Sequence, residues 1–193
     1  MHTSKSIAMK FFSPMHTQPA LTLGDSDKWY SWVNALTEVM ILFWLAGFIV
    51  SWLFWFKFAN KKRSKEIFPV GIFASWISFT IEAGMHYIYE LWSYSDQAIY
   101  PLFGNAFGIY IVVPYFFIQW LPLQKTFNKL LLYFFVWTCF AILFEYIHWY
   151  FLQIEYHYWW NIGYSYIADW ILFWVFYKYY IATDLQKLSH SKA

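Results

Sequence analysis

The chain has 193 residues and a formal net charge of +2, with 61% hydrophobic and only 12% charged residues. This charged share is about half of the ~25% that is usual in soluble domains, so a soluble fold would lack the polar surface to cover itself. The near-neutral balance gives no basic stripe for nucleic acid, which is not an expected partner. The composition indicates an integral membrane protein whose first partner is the lipid bilayer.

Five segments within residues 32–182 are long and apolar enough to span a bilayer, which takes ~20 mostly apolar residues. In chain order they run from about Trp32–Phe58, Ile67–Trp92, Tyr100–Leu121, Leu130–Leu152 and Tyr164–Ile181. Pro101 suits the first turn of the third segment, and Pro114 inside that segment predicts a kink. The predicted fold class is an all-α polytopic membrane bundle of five transmembrane helices.

The distribution of Lys and Arg predicts the orientation. Most of the 13 basic residues follow the first, third and fifth segments. They are Lys57, Lys61, Lys62, Arg63, Lys65, Lys125, Lys129, Lys178, Lys187 and Lys192. The positive-inside rule then places the N-terminus outside, with residues 1–31 as a polar extracytoplasmic arm and residues 183–193 as a cytoplasmic tail.

Several ionisable residues fall inside the predicted helices, where they are costly and mark candidate functional sites. They are Glu38, Glu82, His86, Glu90, Glu145, His148 and Asp169. At ~1.5 Å per residue, Glu82 and Glu145 both lie about 22 Å above the cytoplasmic ends of their helices. Glu38 and Asp169 lie within two turns of the outer ends. The candidate ligand- or proton-binding residues therefore share the outer part of the bilayer.

The spacing of these residues predicts a common face on each of two helices. Glu82, His86 and Glu90 follow an i, i+4, i+8 pattern, and Glu145 and His148 are i, i+3 neighbours. A single pocket of carboxylates and His between the second and fourth helices is geometrically consistent with this pattern.

Three interpretations of the pocket stay open. It is a structural polar network, or a site for protons, cations or a cationic ligand. Alternatively it holds a metal or a haem, because Glu82, His86, Glu145 and His148 offer carboxylate and imidazole ligands.

Other sequence features predict a helix-packing contact and give no support for several classes of enzyme. Gly104 and Gly108 form a small-residue motif that packs helices closely, either within the chain or in a homo-oligomer. The single cysteine, Cys139, leaves no internal disulfide. No Walker loop, GxSxG or HExxH motif supports phosphoryl transfer, nucleophilic or zinc-protease chemistry.

The second half of the chain resembles a family of small multi-pass membrane proteins from Bacillus- and Clostridium-type Firmicutes. The elements that carry the resemblance are Glu145-Tyr146, Trp159-Trp160 and Tyr164-Ser165-Tyr166. The resemblance implies the membrane class and a Gram-positive plasma membrane, and it supplies no mechanism. The expected function is that of a non-enzymatic accessory, sensor or interaction protein, which works alone, as an oligomer or with a membrane partner protein. The alternatives are a metal- or haem-binding protein and a small proton- or cation-coupled transporter.

Overall fold

The computed structural model describes residues 42–94, 100–151 and 153–190. The predicted arm 1–31, the first part of the first predicted helix with Glu38, and the last residues of the tail lie outside the described residues.

The described chain is mostly helical, and its first two helices lie on either side of a short basic turn. Helix α1 covers Leu42–Phe58. Helix α2 covers Lys61–Ile88. Helix α2 consists of a 3-10 turn, an α-helix and a π-helical segment, which are Lys61–Arg63, Ser64–Ala83 and Gly84–Ile88.

The third helix, α3, also contains a π-helical segment. Its three parts are Tyr100–Gly104, the π-helical Asn105–Ile109 and Tyr110–Gln119. Three regular helices follow, which are α4 at Phe127–Tyr150, α5 at Ile162–Ala182 and the short α6 at Lys187–His190.

A two-stranded antiparallel sheet joins the loops between the long helices. Strand β1 at Trp92–Tyr94 follows α2, and strand β2 at Ile154–Tyr156 follows α4, with Trp92 opposite Tyr156 in the register. The all-α prediction missed this sheet, because strands of three residues are too short to show an alternating pattern. We call the end of the bundle with the sheet the sheet end, and the end with Lys61–Arg63 the basic end.

Three helices are long and apolar enough to cross a membrane, namely α2, α3 and α4, and the described part of α1 is a shorter apolar helix. Helix α3 lies at the centre, since 67% of its most apolar stretch is buried, against 28% for α2 and 11% for α4. The buried apolar core is formed mainly by α2, α3 and α5, around Val70, Tyr115, Phe117 and Phe173. Most of the surface of α4 is left for lipid.

Two helix boundaries differ from the prediction for local reasons. Helix α2 begins at Lys61 and not near Ile67, because the Asn60 side chain accepts a hydrogen bond from the Lys62 backbone N–H at 3.2 Å and caps the first turn. It ends at Ile88 and not near Trp92, because Trp92 belongs to β1.

Glycines allow the helices to approach α3 closely. A Cβ atom on Gly71 of α2 would lie 2.7 Å from the Ile111 carbonyl oxygen of α3, so only glycine fits there. Gly108 and Gly104 of the predicted packing motif both face α1, where a Cβ would lie 3.1 Å from the Phe48 ring and 3.8 Å from the Trp44 carbonyl oxygen. The motif packs within the chain in this structure.

We predict that Gly71→Ala destabilises the protein and that Gly84→Ala does not. The new methyl group of Gly71→Ala meets backbone that cannot move aside, and such overpacking costs about 1–3 kcal/mol. At Gly84 a Cβ meets nothing within 4 Å. Thermal unfolding of the purified variants in detergent measures both effects, and equal unfolding midpoints would contradict the close contact of α2 and α3.

Candidate functional site

Three of the predicted acids come together near the sheet end. Glu82 of α2, Glu145 of α4 and Asp169 of α5 are close enough for Glu145 to interact electrostatically with both of the others. Tyr110 of α3 interacts with all three carboxyl groups. Four helices thus contribute to one group, which we call the carboxyl cluster: Glu82, Tyr110, Glu145 and Asp169.

Glu82 is the most enclosed acid of the carboxyl cluster, with only 4% of the residue exposed. Its Oε1 accepts a long hydrogen bond of 3.5 Å from the Asn105 side-chain amide. Its Oε2 has no hydrogen-bond partner of ordinary geometry among the described residues, although Tyr110 lies next to the carboxyl group. Buried polar atoms in proteins are nearly always well paired, so the weak pairing of this buried carboxyl group sets it apart from the other polar groups of the bundle.

Glu145 connects three elements through one oxygen atom. Its Oε1 accepts hydrogen bonds from the Tyr156 hydroxyl of β2 and the Ser165 hydroxyl of α5, both at 2.6 Å. The Ser165 oxygen accepts in turn from the Trp160 indole N–H at 3.1 Å. Hydrogen bonds to Glu145, a member of the carboxyl cluster, therefore connect the sheet to α4 and α5.

The surroundings of Tyr156 keep its hydroxyl group protonated, so that it acts as a hydrogen-bond donor. Burial raises the pKa of Tyr156, and the neighbouring Glu145 carboxylate raises it further, because both disfavour a phenolate. The hydroxyl keeps its proton and donates a hydrogen bond to the Glu145 oxygen.

The carboxyl cluster has no cationic partner in the described part of the chain. The ion pairs found there are Arg63–Glu66 and Lys187–Asp184, and both lie at the basic end. Three acids in a low-dielectric environment without a Lys or Arg must reduce their charge in another way.

The predicted histidines lie apart from the carboxyl cluster. The His86 Nδ1 is 2.8 Å from the Trp92 carbonyl oxygen, and its ring packs on Tyr87 and Tyr94. The i, i+4 prediction for Glu82 and His86 assumed a regular α-helix. The π-helical segment Gly84–Ile88 separates the two residues and turns His86 towards β1.

His148 is buried between aromatic rings and not beside Glu145. The ring centroid lies 4.7 Å from that of Trp44 and 4.3 Å from that of Phe144, and 2% of the residue is exposed. Its Nδ1 donates to the Phe144 carbonyl oxygen at 2.7 Å, which is a bond within its own helix. Residues three apart on a helix differ by about 60° in direction, and here that is enough to face different neighbours.

The predicted metal site of Glu82, His86, Glu145 and His148 does not form. Across residues 42–94, 100–151 and 153–190, no group of three or more His, Cys, Asp or Glu is placed to hold a metal ion. Haem binding stays a prediction from the sequence. Glu90, the last member of the predicted face, is exposed beyond the end of α2 with a positive φ of 50°.

The π-helical segments position the carboxyl cluster. One begins two residues after Glu82, and the other starts at Asn105, whose side chain contacts Glu82. A π-helical turn inserts an extra residue into the helix and is often found at functional sites. A π-helical turn also leaves carbonyl groups open to partners outside the helix. In the segment Asn105–Ile109, the Ala106 carbonyl oxygen accepts a hydrogen bond from the Ser75 hydroxyl of α2 at 2.6 Å.

The hydroxyl groups of the site could not be predicted as its members. Tyr110 and Tyr156 do not stand out in the sequence, and Ser165 occurs only as part of the family resemblance, which assigns it no role. Tyr is so frequent here, with 17 residues, that no single Tyr stands out. Asn105 is different, because an amide in an apolar helix predicts a hydrogen bond to a neighbouring helix. In the structure it donates to Glu82 of α2.

The basic end carries a second buried acid that was also missed. Glu66 is 3% exposed and receives two hydrogen bonds from the Arg63 guanidinium, at 2.6 and 3.2 Å. The Tyr180 hydroxyl donates to the same carboxylate, and Arg63 also donates to the Gln119 carbonyl oxygen at 3.2 Å. This network joins α2, α3 and α5, and unlike the carboxyl cluster it contains its own cation.

Comparison of the chain with models of known families, with curated proteins and with solved structures gives no match.

We predict that Tyr156→Phe destabilises the protein because it removes the donor to Glu145. Hydrogen bonds to a charged group contribute about 1.5–3 kcal/mol. Tyr158→Phe is the matched control, since Tyr158 is 77% exposed in the same loop. Unfolding of both variants in detergent tests this, and equal stabilities would show that the sheet is not held through Glu145.

Proposed function

We propose that the chain is a five-span, non-enzymatic membrane protein that takes up protons at the carboxyl cluster and senses the outer side of the membrane. In this proposal the N-terminus is outside, the C-terminus is in the cytoplasm, and the membrane is a bacterial plasma membrane. The observation that carries the proposal is the buried Glu82 carboxyl group in a cluster with Glu145 and Asp169 that contains no Lys or Arg of the described residues.

A proton is the ligand that fits this group best. Acids inside a membrane protein usually face the interior of the bundle and mark proton or ion pathways. The described residues offer no set of ligands for a metal ion, and no Lys or Arg balances the three carboxyl groups. One proton shared between neighbouring carboxyl groups removes the repulsion between them, and such groups titrate as a unit.

The sheet supports a sensing role. Protonation of the carboxyl cluster changes what Glu145 can accept, and Glu145 holds the Tyr156 hydroxyl of β2. The strand β2 pairs with β1, so the charge of the cluster is linked to both loops at the sheet end. A change in these loops is what a partner protein in the membrane could recognise.

Infrared difference spectroscopy of the protein in lipid films, recorded as the pH is changed, tests the proposal. A protonated carboxyl group has a C=O stretch that is separate from the bands of ionised carboxylates. We expect a titrating C=O band that is lost or shifted in Glu82→Gln, because the amide cannot take up the proton. The control is Glu90→Gln, which removes an exposed acid just beyond the end of the same helix.

The outcomes separate a sensor from the alternatives. A band that titrates together with a change in the amide signals of the loops supports a sensor. The same band with proton flux into liposomes would favour a transporter. No titrating band that depends on Glu82, Glu145 or Asp169 would leave the carboxyl cluster as a structural network and overturn the proposal.

The proposed orientation predicts which loops a membrane-impermeant thiol reagent reaches in intact cells. In a Cys139→Ser background, Tyr158→Cys at the sheet end becomes labelled from outside, and Leu123→Cys at the basic end becomes labelled only after the membrane is permeabilised. Both positions are well exposed, at 77% and 101%. The reverse pattern would contradict the orientation.

A further inference from the structure

An open apolar groove of about 890 Å³ runs along α2 from the basic end towards the middle of the bundle. Its length is lined by Lys65, Phe68, Ile72 and Trp76 of α2, with Trp55 of α1 on one side and Tyr179 of α5 on the other. Tyr179 is held in place by a parallel stack on Phe73, with ring centroids 3.8 Å apart. The groove is separate from the carboxyl cluster, which lies at the other end of α2.

The length of the groove matches one leaflet of a bilayer. From Ser64 to Trp76 the helix rises ~18 Å at ~1.5 Å per residue. The hydrocarbon core of a bilayer is ~30 Å thick, so one leaflet measures ~15 Å. The acyl chain of one phospholipid fits along this groove with its headgroup at the basic end.

The charge at the basic end identifies the headgroup. Lys65 lines the groove, and Lys61 and Lys62 lie in the turn before it; all three are exposed. None of them is in an ion pair with an acid of the described chain, because the nearby Glu66 is paired with Arg63. Lys65 at the mouth of the apolar groove, with Lys61 and Lys62 in the preceding turn, complements a phosphate with net negative charge.

A second copy of the chain fits the groove less well than a lipid does. At the basic end the described acids are Glu66 and Asp184, and each is in an ion pair with a basic residue of its own chain. A partner copy would therefore bring no unpaired carboxylate from these residues to the lysines, whereas an anionic lipid always brings its phosphate.

We propose that this groove is a binding site for one anionic phospholipid, with the phosphate at Lys65 and an acyl chain along Phe68, Ile72 and Trp76. The site rests on the membrane location in the proposed function, and it is independent of proton uptake at the carboxyl cluster. If the proposed orientation holds, the lipid lies in the cytoplasmic leaflet.

Native mass spectrometry of the detergent-purified full chain tests the proposal with phosphatidylglycerol and phosphatidylcholine of identical acyl chains. We expect one retained phosphatidylglycerol per chain and weaker retention of phosphatidylcholine. Each lysine near an anionic headgroup contributes about five-fold in affinity. Lys65→Gln should therefore lower retention of phosphatidylglycerol by about five-fold, whereas Lys125→Gln, with the same change of charge in another loop of the basic end, should not.

A second pair of variants separates a groove from a general attraction to charge. Ile72→Trp fills the groove and should remove the retained lipid, whereas Leu132→Trp enlarges an exposed side chain of α4 and should not. The unfolding midpoint of each variant is measured first, and lipid retention is compared only among variants whose midpoint equals that of the unchanged protein. Glu82→Gln should retain phosphatidylglycerol normally. Equal retention of the two lipids, equal effects of Lys65→Gln and Lys125→Gln, or a dimer that Ile72→Trp dissociates would overturn the proposal.

Discussion

The close contact of α2 with α3 fixes the positions of most other groups in this bundle. Lipid provides no hydrophobic drive between helices, so close packing and hydrogen bonds between helices must hold them together. Both occur here, because Gly71 lies against the Ile111 carbonyl oxygen and Ser75 donates to Ala106 one turn further on. With this register fixed, Glu82, at the sheet end of α2, faces Asn105 of α3.

Two polar layers at opposite ends of the bundle differ in their charge balance. The layer at the basic end contains Glu66 with Arg63, so the pair is neutral and its hydrogen bonds join helices in one arrangement. The layer at the sheet end contains three acids and no cation from the described chain. A neutral layer is suited to a fixed structure, whereas a layer of unbalanced acids responds to protons. This contrast within one molecule favours a functional role for Glu82, Glu145 and Asp169 over a purely structural one.

Much of the helical architecture could be predicted from the sequence, and the details of the site could not. Long apolar segments and the cost of intramembrane acids were enough to place Glu82, Glu145 and Asp169 in one layer, and the structure brings these three together. The position of His86 beside Trp92 could not be predicted, because a π-helical segment is not visible in a 3.6-residue pattern. The sheet was missed because its strands have three residues each. The buried Glu66 was missed because it directly follows a run of basic residues in the sequence and does not stand out there.

The π-helical segments show why the site depends on tertiary contacts. Such a segment leaves carbonyl groups without their usual partners in the helix, and a membrane offers no water to replace them. In α3 the missing partners come from neighbouring helices, since Ser75 donates to Ala106 and the Trp52 indole N–H donates to the Phe107 carbonyl oxygen at 2.9 Å. The conformation of Asn105–Ile109 is thus supported by α1 and α2. It follows that the environment of Glu82 forms only when the three helices have assembled, so the proposed proton uptake at the carboxyl cluster depends on assembly of the bundle.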